Sequence, residues 1–316
     1  MSFLVAFAII YFALTKINID VGLTLQHITR ANAGLYTIAL VSFYASFVVR
    51  AWRWRVLLRN VGFSKEMGIS IPSLRGLTQI ILLSWFANCI VPAKLGDAYR
   101  GYLLKRNAGV SFSKTIGTVV AERVTDMVVL FVLMVASGLA VFHGTVPQAF
   151  VPILSAGVIL LGVLGIALVA MRSFGQIVVR FVPARFRPMY ARFEEGTFLS
   201  FQNLPLLAGT TALVWIAEAG RLWFVSAAVG VPGIGVGPVV FLALASSLLT
   251  TLPVTPAGLG IVESALITLL VLLGNAGAIQ GVNQNVAASI AVLDRIISYW
   301  SLIIVGLIVY LFSKRR

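Results

Sequence analysis

The sequence predicts an all-α, polytopic membrane protein with an inverted-topology repeat and two re-entrant helical hairpins. Three observations carry this expectation: an apolar composition, an asymmetry of basic loops, and a proline- and glycine-broken pattern that occurs twice. Of 316 residues, 59% are hydrophobic and 11% charged, and the mean hydropathy is +1.00. A soluble domain is about 25% charged, so this chain has too few charges to coat a globule in water. The 24 Lys+Arg against 10 Asp+Glu give a net charge of +14, which in a polar chain would point to nucleic acid. The single cysteine, Cys89, excludes a disulfide framework, and two histidines, His27 and His143, exclude a His-rich metal site. No cofactor or metal is expected, and neither is a nucleic-acid partner.

A helix rises about 1.5 Å per residue, so crossing a bilayer core of about 30 Å takes about 20 apolar residues. Residues 35–53, 115–142, 149–171, 204–229 and 286–312 meet that length. Residues 1–14 are apolar but short, with no basic segment before them and no A-x-A-like cleavage site after them; they read as a first span. Two further regions are broken. Residues 74–91 run into Pro92-Ala93-Lys94-Leu95-Gly96-Asp97, and residues 239–252 run into Pro253-Val254-Thr255-Pro256-Ala257-Gly258-Leu259-Gly260 before resuming over 261–273. The last two pieces, 14 and 13 residues long, are each about 20 Å as helix, too short to cross. Proline and glycine at the join break the helix, which suits hairpins that dip to mid-membrane.

Loop charge sets the sidedness. Arg53, Arg55, Arg59, Lys65 and Arg75 follow the first long span. Lys94, Arg100, Lys105, Arg106 and Lys114 follow the first break; Arg172, Arg180, Arg185, Arg187 and Arg192 precede residue 204; Lys314, Arg315 and Arg316 end the chain. The opposite side has Lys16 and Arg30 alone. Both termini are therefore expected in the cytoplasm of a prokaryotic cell (inner) membrane protein, and the excess charge is a positive-inside signature. Two complete spans in place of each hairpin would give the same parity.

The repeat is legible in two matches. Pro92-Ala-Lys-Leu-Gly96 and Pro256-Ala-Gly-Leu-Gly260 lie 164 positions apart, and Ala121-Glu122-Arg123-Val124 and Leu293-Asp294-Arg295-Ile296 lie 172 apart. In the charge topology the first hairpin opens to the cytoplasm and the second to the outside, so the units are inverted, as in alternating-access transporters. The division expected is 1–34 as first span and external loop, 35–142 as the first unit, 143–203 as connecting span and basic loop, and 204–316 as the second unit.

An ionisable residue at the bilayer centre costs about 2.5–3.5 kcal/mol on insertion scales, so each one inside a span is a functional candidate. Glu122, Arg123 and Asp126 fall on one side of a helix, and Glu218 and Arg221 share a face. Asp294 and Arg295 recur at the repeat position, with Ser298 where the first copy has Asp126. Asn88, Pro92, Gly96, Asp97 and Arg100 surround the first break; Pro256, Gly258, Gly260 and Glu263 surround the second. Mutual neutralisation locking the helices together is the competing role for Asp294–Arg295 and Glu218–Arg221, and Arg50 reads as a snorkelling interfacial residue. In the functional reading, a helix starting near Gly96 or Gly260 turns its positive end toward an anionic headgroup. Arg123 and Arg295 would add bidentate donors for phosphate. Glu122, Asp126 and Glu263 would pair those arginines in the empty site, bind a substrate amine, or carry a proton.

Trp52-Arg53-Trp54-Arg55, Asn88-x3-Pro92-x3-Gly96-Asp97-x2-Arg100, Glu122-Arg123-x2-Asp126 and Pro256-x-Gly258-x-Gly260-x2-Glu263 resemble the lysylphosphatidylglycerol synthase transmembrane region, or flippase-like domain, family. The resemblance runs from Trp52 to Arg295. It implies a role like that of the translocating half of the multiple peptide resistance factor, which moves aminoacylated phosphatidylglycerol across the bilayer. A separate cytosolic domain makes the aminoacyl lipid there; here a separate lipid-synthesising enzyme is the expected partner, beside membrane lipids themselves. The function expected is a lipid transporter or flippase for a polar, anionic or aminoacylated phosphate headgroup. The alternatives are an integral-membrane enzyme with Glu122 or Asp126 as general base, or an accessory scaffold in lipid or glycolipid biosynthesis.

Overall fold

The computed structural model describes residues 19–64, 66, 68–91, 94–142, 148, 151–250 and 255–313. The expected span over residues 1–14, Pro92 and Pro253 lie outside the described residues.

Small polar side chains set the helix starts, each oxygen accepting an amide proton that the first turn leaves unpaired. Asp20 caps α1 (Val21–Thr29) through Leu23 N–H, and Asn32 caps α2 (Ala33–Asn60) through Leu35 N–H. Ser73 opens α3 (Leu74–Ile90) through Gly76 N–H. The next helix, α4 (Leu95–Ala108), begins after left-handed Lys94 and stops on left-handed Gly109. Ser111 opens α5 (Phe112–Val141) through Lys114 N–H. Then come α6 (Val151–Phe181), a 3-10 turn at Ala184–Phe186, and α7 (Arg187–Ser200), which meets α8 (Leu204–Ala228) at 82°. The remainder is α9 (Val236–Leu249), a 3-10 turn at Pro256–Gly258, α10 (Ile261–Asn275), and α11 (Gln284–Arg295), capped by Asn283 through Val286 N–H. A π-turn, Ile296–Ser301, widens the helix before α12 (Leu302–Phe312). No strand occurs among the described residues, and the chain is an all-α, multi-pass membrane protein.

Ala33–Asn60, Phe112–Val141, Leu154–Gly175, Pro256–Asn275 and Gln284–Phe312 are long and apolar enough to cross a membrane, and the bent α7–α8 pair makes a sixth candidate. Each long span expected from residue 35 onward is helical over its described residues. The arms of the first break, 17 and 14 residues, are shorter than a crossing. At the second break the 3-10 turn runs into α10 as a 20-residue stretch long and apolar enough to cross, with left-handed Ala257 inside the turn.

The antiparallel pair α2–α8 runs through the middle. At one end Asn60 Nδ2 donates to the carbonyls of Ser200 and Gln202 (3.2 and 2.9 Å); at the other, Asn32 N–H donates to the carbonyl of Ala228 at 2.8 Å. Lys114 Nζ pairs with Glu195 at 2.8 Å, bringing the start of α5 to α7 at the first of these ends. The basic segments around Arg59, Lys114 and Arg192 thus gather together. Opposite them, Asp20 N–H donates to Asn285 Oδ1 and Tyr36 Oη–H to the carbonyl of Leu293. The α3–α4 hairpin folds onto itself: Ser84 Oγ–H donates to the carbonyl of Gly96, and Gly96 N–H to Asn88 Oδ1, both at 2.8 Å. A Cβ on Gly96 would collide with the Ser84 carbonyl oxygen, so only glycine permits this approach. The outer surface of α6 exposes Val158, Ile159, Val163, Ile166 and Val169, as a lipid-facing helix does.

Candidate functional site

Charge lies where this fold is most buried. Arg50 and Arg53, one turn apart on α2, are 4% and 1% exposed. Arg53 contacts Asp126 Oδ1 at 2.5 Å, Glu122 Oε1 at 2.7 Å and Thr211 Oγ1 at 2.7 Å. Arg100 forms an ion pair with Glu122 Oε2 at 2.8 Å and lies 3.8 Å over the Trp54 ring, a cation–π placement. Arg50 reaches across to Glu218 Oε1 at 2.7 Å, and Arg221 holds the other oxygen of Glu218 and binds Asp294 through its carboxylate and carbonyl. Six arginines, Arg50, Arg53, Arg100, Arg123, Arg221 and Arg295, face six carboxylates, Asp97, Glu122, Asp126, Glu218, Glu263 and Asp294. A buried ion in isolation costs several kcal/mol, on the order of what a good partner returns. Mutual pairing is what lets these charges sit inside.

The two breaks make matching contacts. Asp97 is the third residue of α4 and takes Arg123 in a bidentate grip, 3.0 Å from Nε and 2.8 Å from a terminal nitrogen. Glu263 is the third residue of α10 and takes Arg295 Nε at 2.7 Å. Lys94 and Gly258, the third residues of the two Pro-Ala-x-Leu-Gly motifs, are both left-handed (φ 53° and 71°). A similar pattern of contacts joins α2 and α8: Arg221 follows Arg53 by 168 positions, Arg53 binds Glu122, and Arg221 binds Asp294, the acid 172 positions after Glu122.

These groups enclose a cavity of about 150 Å³, well above the roughly 10–15 Å³ that one water occupies. Its wall includes Asn88, Lys94, Arg123 and Asp126 from the first break and its span, Pro256, Ala257, Arg295 and Ser298 from the second, and Arg50, Glu218, Arg221 and Asp294 between them. The four arginines among these are all paired. No carboxylate lies within 4.0 Å of the Lys94 ammonium among the described residues. Three buried hydroxyl oxygens, those of Ser246, Thr255 and Ser298, also line the wall and have no hydrogen-bond partner among the described residues.

Nearly all the residues singled out in the sequence meet here. Asn88, Arg123, Asp126, Glu218, Arg221, Pro256, Asp294 and Arg295 line the cavity; Gly96, Asp97, Arg100, Glu122, Gly258, Gly260 and Glu263 stand behind it. Four expectations change. Arg50 does not snorkel: it is buried against Glu218, with Trp85 4.6 Å from its guanidinium. Arg53 and Arg100 are not loop charges, because α2 continues seven residues past Arg53 and α4 folds back inward. Lys94, counted with the loops, is on the cavity wall. The helix starts are partly spoken for as anion sites: Gly96 N–H donates to Asn88, and Gly260 N–H to Glu263 Oε2 at 2.7 Å. No three His, Cys, Asp or Glu side chains stand close enough to hold a metal among the described residues.

Comparison with known proteins matches residues 1–306 to the family model described as Lysylphosphatidylglycerol synthase TM region. The chain is 34% identical to a UPF0104 membrane protein of Methanocaldococcus jannaschii, over 73% of this chain and 95% of that one. It is 27% identical to Glycosyltransferase AglD of Haloferax volcanii, over 89% of this chain and 49% of that protein. A UPF0104 membrane protein of Methanothermobacter thermautotrophicus is 23% identical over 89% of this chain and 84% of its own length.

Proposed function

The chain belongs to the lysylphosphatidylglycerol synthase TM region family, and from that premise we propose that it is a membrane lipid transporter. It moves a lipid with a phosphate headgroup between leaflets of the cell membrane, with both termini in the cytoplasm. The observation that carries this reading is the single cavity onto which both breaks and both repeat-position arginines, Arg123 and Arg295, open. The headgroup enters the charged space while the acyl chains stay in lipid, and the two units admit it alternately from either side. The matched contacts Arg123–Asp97 and Arg295–Glu263 support an inverted repeat with two re-entrant hairpins. So does the antiparallel crossing of α2 and α8, in which Arg53–Thr211 and Phe43–Arg221 contacts are related by the same 168-residue shift.

The test is leaflet exchange of labelled phospholipids in liposomes holding the full chain. Arg123→Ala, Glu122→Gln and Asp126→Asn are expected to abolish exchange while the protein still runs as a folded monodisperse species. Exchange at the wild-type rate in all three variants overturns the proposal.

The relative named as a glycosyltransferase favours a second reading, in which the chain serves glycolipid biosynthesis as an enzyme or a scaffold. Product formed by the purified protein from a lipid phosphate and an activated sugar would support the enzyme. Cytoplasmic-loop variants that break association with a partner enzyme, beside silent cavity variants, would support the scaffold.

A further inference from the structure

We propose that the cavity is built for a net-anionic phosphate headgroup carrying hydroxyls, with Lys94 as its counter-charge, and that it disfavours aminoacylated, cationic headgroups. This rests on the lipid-transport reading and names its substrate class.

Each arginine on the wall already holds a carboxylate: Arg50 and Arg221 share Glu218, Arg221 also binds Asp294, Arg123 has Asp97, and Arg295 has Glu263. An incoming phosphate gains less from a guanidinium whose charge a carboxylate already balances. Lys94 is different. Its ammonium borders the same space with no carboxylate within 4.0 Å among the described residues, and lysine binds phosphate as a point charge. Six arginines against six carboxylates leave this lysine as the surplus charge, so an anion of about one unit makes the buried cluster neutral.

The same inventory speaks against an amine. Every carboxylate in the cluster is held by at least one arginine. A substrate ammonium would have to displace a buried guanidinium and would add a second uncompensated positive charge beside Lys94. The hydroxyl part of the assignment comes from Ser246 and Thr255, at least nine-tenths buried, and Ser298, whose oxygens line the wall and bond to nothing among the described residues. A buried hydroxyl left unpaired is costly, and each both donates and accepts, which suits glycerol or sugar hydroxyls.

The experiment titrates the full chain in detergent with phosphatidylglycerol, lysylphosphatidylglycerol and soluble glycerol phosphate, and counts bound ligand by native mass spectrometry. Wild type is expected to bind phosphatidylglycerol about tenfold more tightly than the lysyl lipid, the scale of one charge-assisted contact. Lys94→Gln is expected to lose about that factor for phosphatidylglycerol alone, Lys94→Arg to restore it, and Ser246→Ala to weaken phosphatidylglycerol binding several-fold. A preference for the lysyl lipid, or unchanged selectivity in Lys94→Gln, overturns the assignment. If Lys94→Gln does not fold, the wild-type preference and Ser246→Ala decide. Glycerol phosphate binding as tightly as phosphatidylglycerol would make the ligand a free phosphate and overturn the lipid assignment. Leaflet exchange in parallel liposomes separates the two layers. Selective binding without exchange refutes transport and leaves the headgroup standing; exchange without selectivity refutes the headgroup and leaves transport.

Discussion

Arg50 and Glu218 stand 168 positions apart and bond to each other at 2.7 Å in the middle of the α2–α8 crossing. The shift that carries Arg50 onto Glu218 carries Arg53 onto Arg221 and Phe43 onto Thr211. Arg53 touches Thr211, and Arg221 lies 5.5 Å from the Phe43 ring. Under the proposed two-fold relation the Arg50–Glu218 bond therefore sits at the axis, where a position meets its own counterpart. One unit supplies a base there and the other an acid, which is what such a contact needs, since two like charges facing each other would repel.

Removing one side of that bond strands a buried charge. Arg50→Met is expected to cost about 3 kcal/mol, the low end for a broken buried pair, because Arg221 still holds the other oxygen of Glu218. Arg53→Met is expected to cost nearer to about 5 kcal/mol, since it leaves Asp126 with only Arg123 at 4.0 Å and Glu122 with Arg100 alone. The exchange Arg50→Glu with Glu218→Arg is expected to recover part of the single-variant loss, read as a coupling energy in a double-mutant cycle. Apparent midpoints of thermal unfolding in detergent give the ranking. Equal midpoints for wild type and Arg53→Met would contradict it.

Much of this architecture was legible in the chain, for a physical reason. Apolar length and helix-breaking residues are local properties, so the spans over 35–53, 115–142 and 204–229 reappear as helices, and the second break is marked by the positive φ angles of Ala257, Gly258 and Gly260. Spacing tells which side chains share a face, and it does not tell which helix that face meets. Glu122 and Arg123 illustrate this: neighbours about 100° apart around a helix, they serve different partners, Glu122 going to Arg53 and Arg100 and Arg123 to Asp97. The burial of Arg50 and Arg53 is not legible from hydropathy, because the apolar run ends at Arg53 whereas the helix runs on to Asn60. A signal was present: Arg50 and Arg53 are spaced as Glu218 and Arg221 are, and the 168 positions between the two pairs fall between the 164 and 172 of the two repeat matches.

The first hairpin depends on a glycine. Gly96→Ala puts a Cβ into the Ser84 carbonyl and within 2.6 Å of Asn88 Oδ1. It is expected to cost about 1–3 kcal/mol as overpacking and to break the bonds of Gly96 to Ser84 and Asn88. Gly109→Ala is the control: its φ of 67° strains a side chain, but no atom lies within 4 Å of the added carbon, so the cost is about 1 kcal/mol. A larger midpoint loss for Gly109→Ala than for Gly96→Ala would place the close contact elsewhere.

The sidedness of the chain has a direct readout in the two ends of the α2–α8 pair. Glu66 is exposed just beyond the end that gathers Arg59, Lys114 and Arg192, and Gly233 is exposed in the turn after α8 at the opposite end. With the orientation proposed from the positive-inside bias, Glu66 is expected in the cytoplasm and Gly233 outside. Cys89, 2% exposed, is replaced by serine so that each introduced thiol is the only one. In intact cells a membrane-impermeant maleimide is expected to label Gly233→Cys readily and Glu66→Cys only after permeabilisation. The reverse pattern would turn the protein over in the membrane, and labelling of both from outside would mean that α2 and α8 do not carry the chain across.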